Sequence, residues 1–212
     1  VFGHRNGVKA VRETTEAAAE LGIKYLTMYA FSTENWSRPQ TEVNALMSLL
    51  IQTVRKELST LTKNNIRLQA IGDLSKLPKD TYRALMDGIE KTKHHTRMTL
   101  VLALNYSAKW EIVEASKKLA FAAKNNELSI EDIDESKFSN SLSTAGMPDP
   151  ELLIRTSGEQ RISNFLLWQI AYAELRFFPI FWPDFRREHL YEAIVDFQKR
   201  ERRFGKTSEQ VS

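Results

Sequence analysis

Two segments of the chain concentrate arginine and hydroxyl side chains. The first reads FSTENWSRP at residues 31–39, and the second reads RTSGEQRISN at residues 155–164. Arginine presents a planar fork of donors that matches phosphate oxygens, and hydroxyls and backbone amides at a helix start complete such a cradle. The two segments predict a site for two phosphate groups or for one diphosphate. The alternative is that these arginines only pair with nearby carboxylates such as Glu34 and Glu159.

The familiar phosphate and nucleophile motifs do not explain these segments. The sequence contains no GxxxxGK[ST] loop, no GxGxxG fingerprint and no GxSxG elbow. The pair His94-His95 lies near a predicted helix end, and we interpret it as solvated rather than as a metal site.

Helical and strand patterns alternate along the chain and must position these segments. The predicted strands are 23–30, 66–71, 98–104, one beginning at 152–154, and an edge strand at 177–181. The predicted helices are 6–21, 42–64, 79–93, 110–124, 163–173 and 186–203, with short helices and loop at 128–143. The pattern predicts a single α/β domain over residues 1–212, with a largely parallel central sheet flanked by helices.

Ligands of such sheets bind outside the carboxyl ends of the strands, and both arginine-rich segments follow predicted strands. We therefore expect the two segments at the same end of one sheet. The chain opens on a helix, whereas an α/β domain of this kind normally starts with a strand. We expect a further segment upstream of Val1.

The long predicted helix at 42–64 has more apolar residues than a narrow contact stripe requires. Its apolar positions keep helical spacing and are Val43, Leu46, Met47, Leu50, Val54, Leu58 and Leu61. One interpretation places all of them in the core. The other places part of this face along a hydrocarbon-binding cleft that leads away from the phosphate segments, as a lipid diphosphate requires.

Composition excludes several classes of protein. The chain has 212 residues, 42% hydrophobic and 27% charged, with no cysteine and a formal charge of +3. It has no disulfide, no thiolate metal site and no transmembrane run, which fits a cytoplasmic protein. Nucleic-acid binding would need a stronger basic surface. The basic stretch 199–206 is either a solvated helix end or a weak attraction to anionic lipid.

These segments resemble the undecaprenyl diphosphate synthases, a family of cis-prenyltransferases. The matching blocks run in order over essentially the whole chain and are FSTENWSRP at 31–39, EV at 42–43, LNY at 104–106, IRTSGE at 154–159, RISNFLLWQ at 161–169, AYAEL at 171–175, WPDF at 182–185 and RRFG at 202–205.

The resemblance implies an enzyme that adds isopentenyl diphosphate units to an allylic diphosphate such as farnesyl diphosphate, with Mg2+ and cis geometry. Its long-chain product, undecaprenyl diphosphate in the bacterial case, is the precursor of the lipid carrier for cell-wall synthesis. It also implies a homodimer that is cytoplasmic, with possible peripheral membrane association for product release.

The resemblance assigns roles by position. Asn35 is expected at the proton-removal step, and Glu174 is expected to bind Mg2+ across the dimer. Leu46, Leu49 and Leu50 are expected to line a hydrophobic tunnel for the prenyl chain. The expected substrate-binding residues are His4, Ser32, Thr33, Glu34, Trp36, Arg38, Arg155, Arg161, Ile162 and Ser163.

Three departures from the family pattern are present. The first strand and its Asp-Gly-Asn-Gly-Arg block, which binds Mg2+ in the family, lie upstream of this chain, so we expect the chain alone to be inactive or weak. Ser107-Ala108-Lys109 replaces the usual Gly-Gly-Arg, and Gln160 replaces a histidine found in some relatives. Two other functions stay open, a non-catalytic cis-prenyltransferase-like partner subunit and a phosphate-binding α/β protein of another kind.

Overall fold

The computed structural model describes residues 2–201, and these residues form two compact units. The three-stranded unit comprises residues 22–148 and 163–168. The two-stranded unit comprises residues 2–21, 149–162 and 169–201. Strands within each unit are parallel, which confirms the α/β class. Organisation as a single domain stays a prediction.

The elements follow one another in the predicted alternation. The helices are α1 (Phe2–Glu20), α2 (Gln40–Lys63), α3 (Lys79–Thr92), α4 (Ala108–Lys124), α5 (Glu135–Ser139) and α6 (Arg187–Gln198). The strands are β1 (Tyr25–Ser32), β2 (Ile66–Ile71), β3 (Met98–Tyr106), β4 (Leu152–Arg155) and β5 (Glu174–Phe177). Short 3-10 helices lie at Thr33–Ser37, Leu74–Lys76, Ile130–Asp132 and Trp182–Asp184.

Strand β3 is the centre of the three-stranded unit, in which the strand order is β1-β3-β2. All nine of its residues are buried, as expected for a continuous apolar run that has a strand on each side. Ser32 pairs with Tyr106, and Ile71 pairs with Ala103, so the three strands end at the same edge of the sheet. Their following loops therefore lie side by side.

Strand β1 is less buried than its sequence predicts. We expected a buried strand at 23–30, but Tyr25 and Ala30 are exposed and the residues between them are half-buried. The physical reason is that β1 lies at one end of the strand order, with β3 as its single hydrogen-bonded neighbour among the described residues.

Gly72 makes a close approach possible where β2 ends. Its φ is +112°, and a Cβ built there would lie 2.1 Å from the backbone oxygen of Leu104. Only glycine fits this position, because any side chain would meet both a steric clash and a disfavoured backbone conformation. The loop after β2 can therefore lie directly against the end of β3.

The two-stranded unit pairs β4 with β5, from Leu152 opposite Glu174 to Arg155 opposite Phe177. Helix α1 packs against α6 and against the 3-10 turn at Trp182–Asp184. Phe185 is buried there, with its ring stacked on that of Trp182.

Two elements that the sequence predicts between residues 163 and 181 are wrong. Residues 163–173 form turns rather than a helix, and the φ angles of Ser163, Asn164 and Leu166 are +50°, +61° and +50°. An α-helix needs φ near −63°, so these positive φ angles prevent a helix although the apolar spacing favours one. The strand expected at 177–181 lies instead at Glu174–Phe177.

The last helix ends earlier than its sequence pattern predicts. Helix α6 stops at Gln198, and residues 202–206 of the basic stretch lie outside the described residues. Within residues 2–201, the helices are too short or too polar for any of them to cross a bilayer.

Candidate functional site

The loop after β1 carries the first predicted segment and is held by its own hydrogen bonds. The backbone N–H of Ser32 donates to Oδ1 of Asn35 over 2.9 Å, and Oγ of Ser37 donates to the carbonyl of Glu34 over 2.7 Å. These bonds close the 3-10 helix Thr33–Ser37 directly onto the end of the strand. The side chain of Asn35 is thereby oriented by the backbone.

Asn105 joins this loop to the loop after β2. Its Oδ1 accepts a 2.7 Å hydrogen bond from the indole Nε1 of Trp36, and its Nδ2 donates to the carbonyl of Asp73 over 2.8 Å. Its carbonyl also accepts from the backbone N–H of Asp73. Asn105 is buried at φ +47°, a conformation that asparagine adopts more readily than most residues. One buried amide thus fixes two of the loops at the sheet edge.

Glu34 extends from the same loop toward Asn164. Nδ2 of Asn164 donates to Oε1 of Glu34 over 2.8 Å, and Oγ1 of Thr33 donates to Oε2 over 3.2 Å. Partial burial favours the protonated acid, but hydrogen bonds from Asn164, the backbone, Ser32 and Thr33 outweigh it and hold the pKa of Glu34 below its usual value. The carboxylate is therefore charged at neutral pH.

Aromatic rings pack beneath this edge of the sheet. Tyr29 stacks on Phe165 with ring centroids 4.5 Å apart, and its hydroxyl donates to the carbonyl of Tyr106 over 3.0 Å. Burial, followed by the negative charge of Glu34, raises the pKa of Tyr29 to about 12. The hydroxyl of Tyr106 donates to the buried carboxylate of Glu111 over 2.5 Å. The rings of Tyr29, Tyr106 and Phe165 thus pack against one another beneath the loops.

Arg38 pairs with Glu42 in the structure. Nη1 of Arg38 lies 2.6 Å from Oε1 of Glu42, and both side chains are about half exposed, at 47% and 48%. Exposed ion pairs contribute little stability, so a diphosphate can compete for this arginine at small cost.

Arg155 stands at the carboxyl end of β4, and its guanidinium has an unused donor. Its Nε atom is buried and has no hydrogen-bond partner among the described residues. Buried donors are nearly always paired, so this one indicates an acceptor that the described residues do not supply. Arg161, by contrast, forms an ion pair with Glu159, as the alternative interpretation of the arginines required.

The backbone after β4 does not form the expected cradle. The N–H of Ser157 donates to the carbonyl of Ile180, and the N–H of Gly158 donates to the carbonyl of Phe178 over 2.9 Å. No helix begins within residues 155–164. The part of the prediction that placed amides of a helix start around the phosphate is therefore wrong for this segment, and the N–H groups of Ser157 and Gly158 are already bound within the chain.

Glu174 begins β5 and is bound by an arginine. Its Oε2 accepts from Arg200 over 2.7 Å, and Arg200 also pairs with Asp196 over 2.6 Å. Within residues 2–201, no three His, Cys, Asp or Glu side chains are grouped to hold a metal ion. One carboxylate is nevertheless compatible with Mg2+, which commonly binds one or two carboxylates together with substrate phosphates and water.

The proposed tunnel residues on α2 are half-buried, unlike its core residues. Leu46, Leu49 and Leu50 stay partly exposed, whereas the buried positions of this helix are Val43, Met47, Val54, Glu57 and Leu61. The apolar face of α2 is thus not buried entirely in the core. A phosphate-binding protein without a hydrocarbon substrate would have required that this face be buried entirely. The tunnel itself stays a prediction.

The remaining predicted substrate residues have these positions. His4 lies in the first turn of α1, and its side chain is outside the described residues. Ile162 and Ser163 are half-buried in irregular backbone.

The three-stranded unit brings Ser32, Thr33, Glu34, Asn35 and Trp36 together at one edge. The two predicted segments, however, follow strands of different sheets rather than of one sheet, because β1 pairs with β3 and β4 pairs with β5.

Sequence reasoning missed the roles of Asn105 and Asn164. Both have positive φ and both use their side-chain amides to join distant loops. The available signal was an asparagine in each of two sequence blocks, LNY at residues 104–106 and RISN at residues 161–164. The first directly follows a predicted strand, and the second directly follows a serine. Their partners became apparent only from the strand order.

The chain matches known isoprenoid enzymes over nearly its whole length. The family model of undecaprenyl diphosphate synthase matches residues 1–205. An isoprenyl transferase of Chlorobaculum tepidum is 54% identical over 211 residues, which cover 100% of this chain and 80% of that protein. The (2E,6E)-farnesyl-diphosphate-specific ditrans,polycis-undecaprenyl-diphosphate synthase of Haemophilus ducreyi is also 54% identical, with 97% of this chain and 85% of that protein covered.

Solved structures agree with these matches. The crystal structure of lavandulyl diphosphate synthase from Lavandula x intermedia, in complex with dimethylallyl diphosphate, is similar with a TM-score of 0.93 and 36% identity. The alignment covers 96% of this chain and 88% of that structure.

Proposed function

Because this chain belongs to the undecaprenyl diphosphate synthase family, we propose that it condenses isopentenyl diphosphate units onto an allylic diphosphate such as farnesyl diphosphate. The new double bonds are cis, and the product is a long-chain polyprenyl diphosphate of the undecaprenyl type. Such a product is the precursor of the lipid carrier for cell-wall synthesis.

The single structural observation that supports a diphosphate substrate best is the buried, unpartnered Nε of Arg155. A diphosphate oxygen supplies the acceptor that this donor lacks, and a charge-assisted hydrogen bond in a partly buried place is a strong one. Arg161 and Ser163 are the other residues that we propose to bind isopentenyl diphosphate. Ile162 and His4 are the further substrate contacts that we propose.

The reaction breaks the allylic carbon–oxygen bond, and the diphosphate leaves with the electron pair. The double bond of isopentenyl diphosphate then attacks the positively charged carbon, and a proton is lost from the adjacent carbon. Arginine side chains stabilise the negative charge that develops on the leaving oxygens. Oδ1 of Asn35 has a second lone pair beside the one bound to Ser32, and we assign it to the proton-removal step.

We propose Mg2+ as the cofactor, with Glu174 as a ligand. When bound, the ion neutralises charge on the diphosphate oxygens. The chain's own part is to present one carboxylate, which Arg200 holds in place in the present structure.

We further propose that the enzyme is a cytoplasmic homodimer that associates with the membrane surface when its product is released. The half-buried leucines of α2, Leu46, Leu49 and Leu50, are the proposed tunnel lining. Exposed apolar side chains beside Glu174, including Tyr172 and Leu175, support a contact between subunits at that place.

Incorporation of radiolabelled isopentenyl diphosphate into a butanol-soluble product, with farnesyl diphosphate and Mg2+, tests the proposal. The assay uses this chain and a version with the upstream segment of the Chlorobaculum tepidum relative fused before Val1. Incorporation by either version supports the proposed reaction. Absence of incorporation by both folded proteins contradicts it and favours the non-catalytic partner subunit.

A further inference from the structure

We propose that Asn164 is a positioning residue that holds the carboxylate of Glu34 against the beginning of helix α4. This inference rests on the proposed function, in which Glu34 orders the substrates. Asn164 itself need not touch a substrate, since its side-chain polar atoms are bound within the protein.

The side chain of Asn164 uses its donors and its acceptor at once. Nδ2 donates to Oε1 of Glu34 over 2.8 Å and to Oγ of Ser107 over 2.6 Å, while Oδ1 accepts from the N–H of Lys109 over 3.0 Å. An amide has two N–H donors and one carbonyl acceptor, so its orientation here is fixed. A flipped amide would place its oxygen against the carboxylate and its donors against an N–H.

The backbone of Asn164 is anchored independently of Glu34. Its carbonyl accepts from the N–H of Ala108 over 2.9 Å, so two amides of the first turn of α4 are bound to this one residue. Phe165 stacks on Tyr29, and Leu166 is buried. The position of Asn164 is therefore fixed by contacts other than its hydrogen bond to the carboxylate of Glu34.

The other partners of the Glu34 side chain lie within its own loop. The residue is exposed, and apart from Asn164 its carboxylate is bound by the side chains of Ser32 and Thr33 and by its own backbone. The bond from Asn164 joins two residues 130 positions apart in sequence. Without it, the carboxylate would be held by adjacent residues of its own loop alone. Misplacement of a group that orders substrates by about 1 Å costs on the order of a hundredfold in rate.

Ser107 supplies a second acceptor for the side chain of Asn164. Its Oγ accepts hydrogen bonds from Asn164 and from the N–H of Trp110. The second donor of Asn164 thus also has a side-chain partner. Hydrogen bonds from Asn164 also help to lower the pKa of Glu34.

The variant Asn164→Asp separates positioning of Glu34 from capping of the helix. Aspartate keeps an acceptor for the N–H of Lys109 and tolerates positive φ, so α4 stays capped. It loses both N–H donors and places a like charge beside Glu34. We expect kcat/KM for isopentenyl diphosphate to fall about thirtyfold, with a urea unfolding midpoint close to that of the unmodified protein.

A double-mutant cycle with Glu34→Ala decides whether Asn164 acts through Glu34. Positioning predicts that Asn164→Asp changes kcat/KM less than about twofold once Glu34 is alanine. An equal fall in kcat/KM on Asn164→Asp, whether residue 34 is glutamate or alanine, would overturn the proposal. An unchanged kcat/KM in the single variant Asn164→Asp would also overturn it. If the aspartate variant does not fold, Asn164→Gly takes its place, because glycine keeps the backbone carbonyl and the positive φ.

A carboxyl NMR titration of Glu34 separates this inference from the reaction itself. Asn164→Gly is expected to raise the pKa of Glu34 in the folded protein, whether or not catalysis occurs. An unchanged pKa would show that the hydrogen bond is absent in solution and would overturn the proposal. If unmodified protein with a shifted Glu34 pKa fails to condense the substrates, the proposed function fails, and the inference that rests on it fails with it.

Discussion

The indole of Trp36 donates a hydrogen bond to the buried side chain of Asn105, which lies in β3 between the residues that pair with Phe31 and with Ser32 at the end of β1. Asn105 in turn donates to the carbonyl of Asp73 beyond β2. The loops of two outer strands are thus held by one residue of the central strand. Changes at Asn105 should therefore affect the shape of the whole sheet edge.

Two replacements of Asn105 separate the contribution of its hydrogen bonds to stability from the cost of its positive φ. Asn105→Ala removes both side-chain bonds and leaves two partners unsatisfied, and we expect a loss of about 3 kcal/mol in the free energy of unfolding. Asn105→Gly removes the same bonds but adopts positive φ freely, so it should lose about 1 kcal/mol less. Urea denaturation measures both. Equal stability of the two variants would show that φ +47° carries no strain here.

Gly72→Ala tests the close approach between the loop after β2 and the end of β3. A Cβ there would lie 2.1 Å from the oxygen of Leu104 at φ +112°. We expect destabilisation on the order of 3 kcal/mol or more. Gly7→Ala in helix α1 is the control, because a Cβ at Gly7 meets nothing within 4 Å. It should stabilise by about 0.5–1 kcal/mol, since alanine favours helix. Thermal unfolding of both variants measures the difference.

Arg155 is expected to bind the isopentenyl diphosphate headgroup. Arg155→Ala should lower kcat/KM for that substrate about a hundredfold or more, because a charge-assisted fork of donors is lost. Arg155→Lys should recover little of it, since lysine lacks the fork. Arg83→Ala removes an exposed, weakly paired arginine and serves as the control. Kinetics with isopentenyl diphosphate as the varied substrate would refute the assignment if Arg155→Ala matched this control.

The proposed metal role of Glu174 can be separated from its ion pair with Arg200. Glu174→Gln should raise the Mg2+ concentration needed for half-maximal activity about tenfold, because a charged ligand is lost. Asp196→Asn is a matched control, since Asp196 binds the same arginine but is not a proposed ligand. Mg2+ titrations of activity compare the two. Equal shifts in both variants would assign the effect to Arg200 instead of the metal.

Tyr29 should make stability depend on alkaline pH. Its pKa is raised from 10.0 to about 12, so the folded state favours the neutral phenol. This contribution is complete below pH 10 and is lost as the pH rises toward 12, because the unfolded chain ionises first. The free energy of unfolding of Tyr29→Phe should therefore fall less steeply in this range. Tyr82→Phe, which removes the hydroxyl of a residue that is 43% exposed, is the control. Urea unfolding that gave both variants the wild-type slope would contradict the prediction.

The sequence pattern predicted the regular elements because burial enforces them. The continuous apolar run of β3 and the helical spacing of α2 each reflect one buried face, and both elements formed within a few residues of their predicted bounds. Glu34, Asn35 and Trp36 were predicted together because they are consecutive. Local patterns are therefore enough for an element and for a site within one loop.

What the pattern could not predict depends on distant contacts. Residues 163–173 have helical apolar spacing, yet Asn164 takes positive φ and spends its hydrogen bonds on α4 and Glu34. No local rule reveals that these partners lie nearby. The contact between Trp36 and Asn105 likewise depends on β3 being the neighbour of β1, which the order of elements along the chain does not state.

Residues 163–168 complete the three-stranded unit, although the chain on both sides of them belongs to the other unit. The amides of Ala108 and Lys109, at the beginning of helix α4, donate hydrogen bonds to Asn164. During synthesis, α4 leaves the ribosome well before Asn164 because it comes earlier in the chain. Bringing Lys109 and Asn164 together closes a loop of 55 residues, which has an entropic cost. The nascent helix alone does not offset this cost. A nascent chain that ends near Pro148 should thus have a frayed beginning of α4 and an unfixed Glu34. The loops that the proposed chemistry requires would mature last, when this short segment arrives.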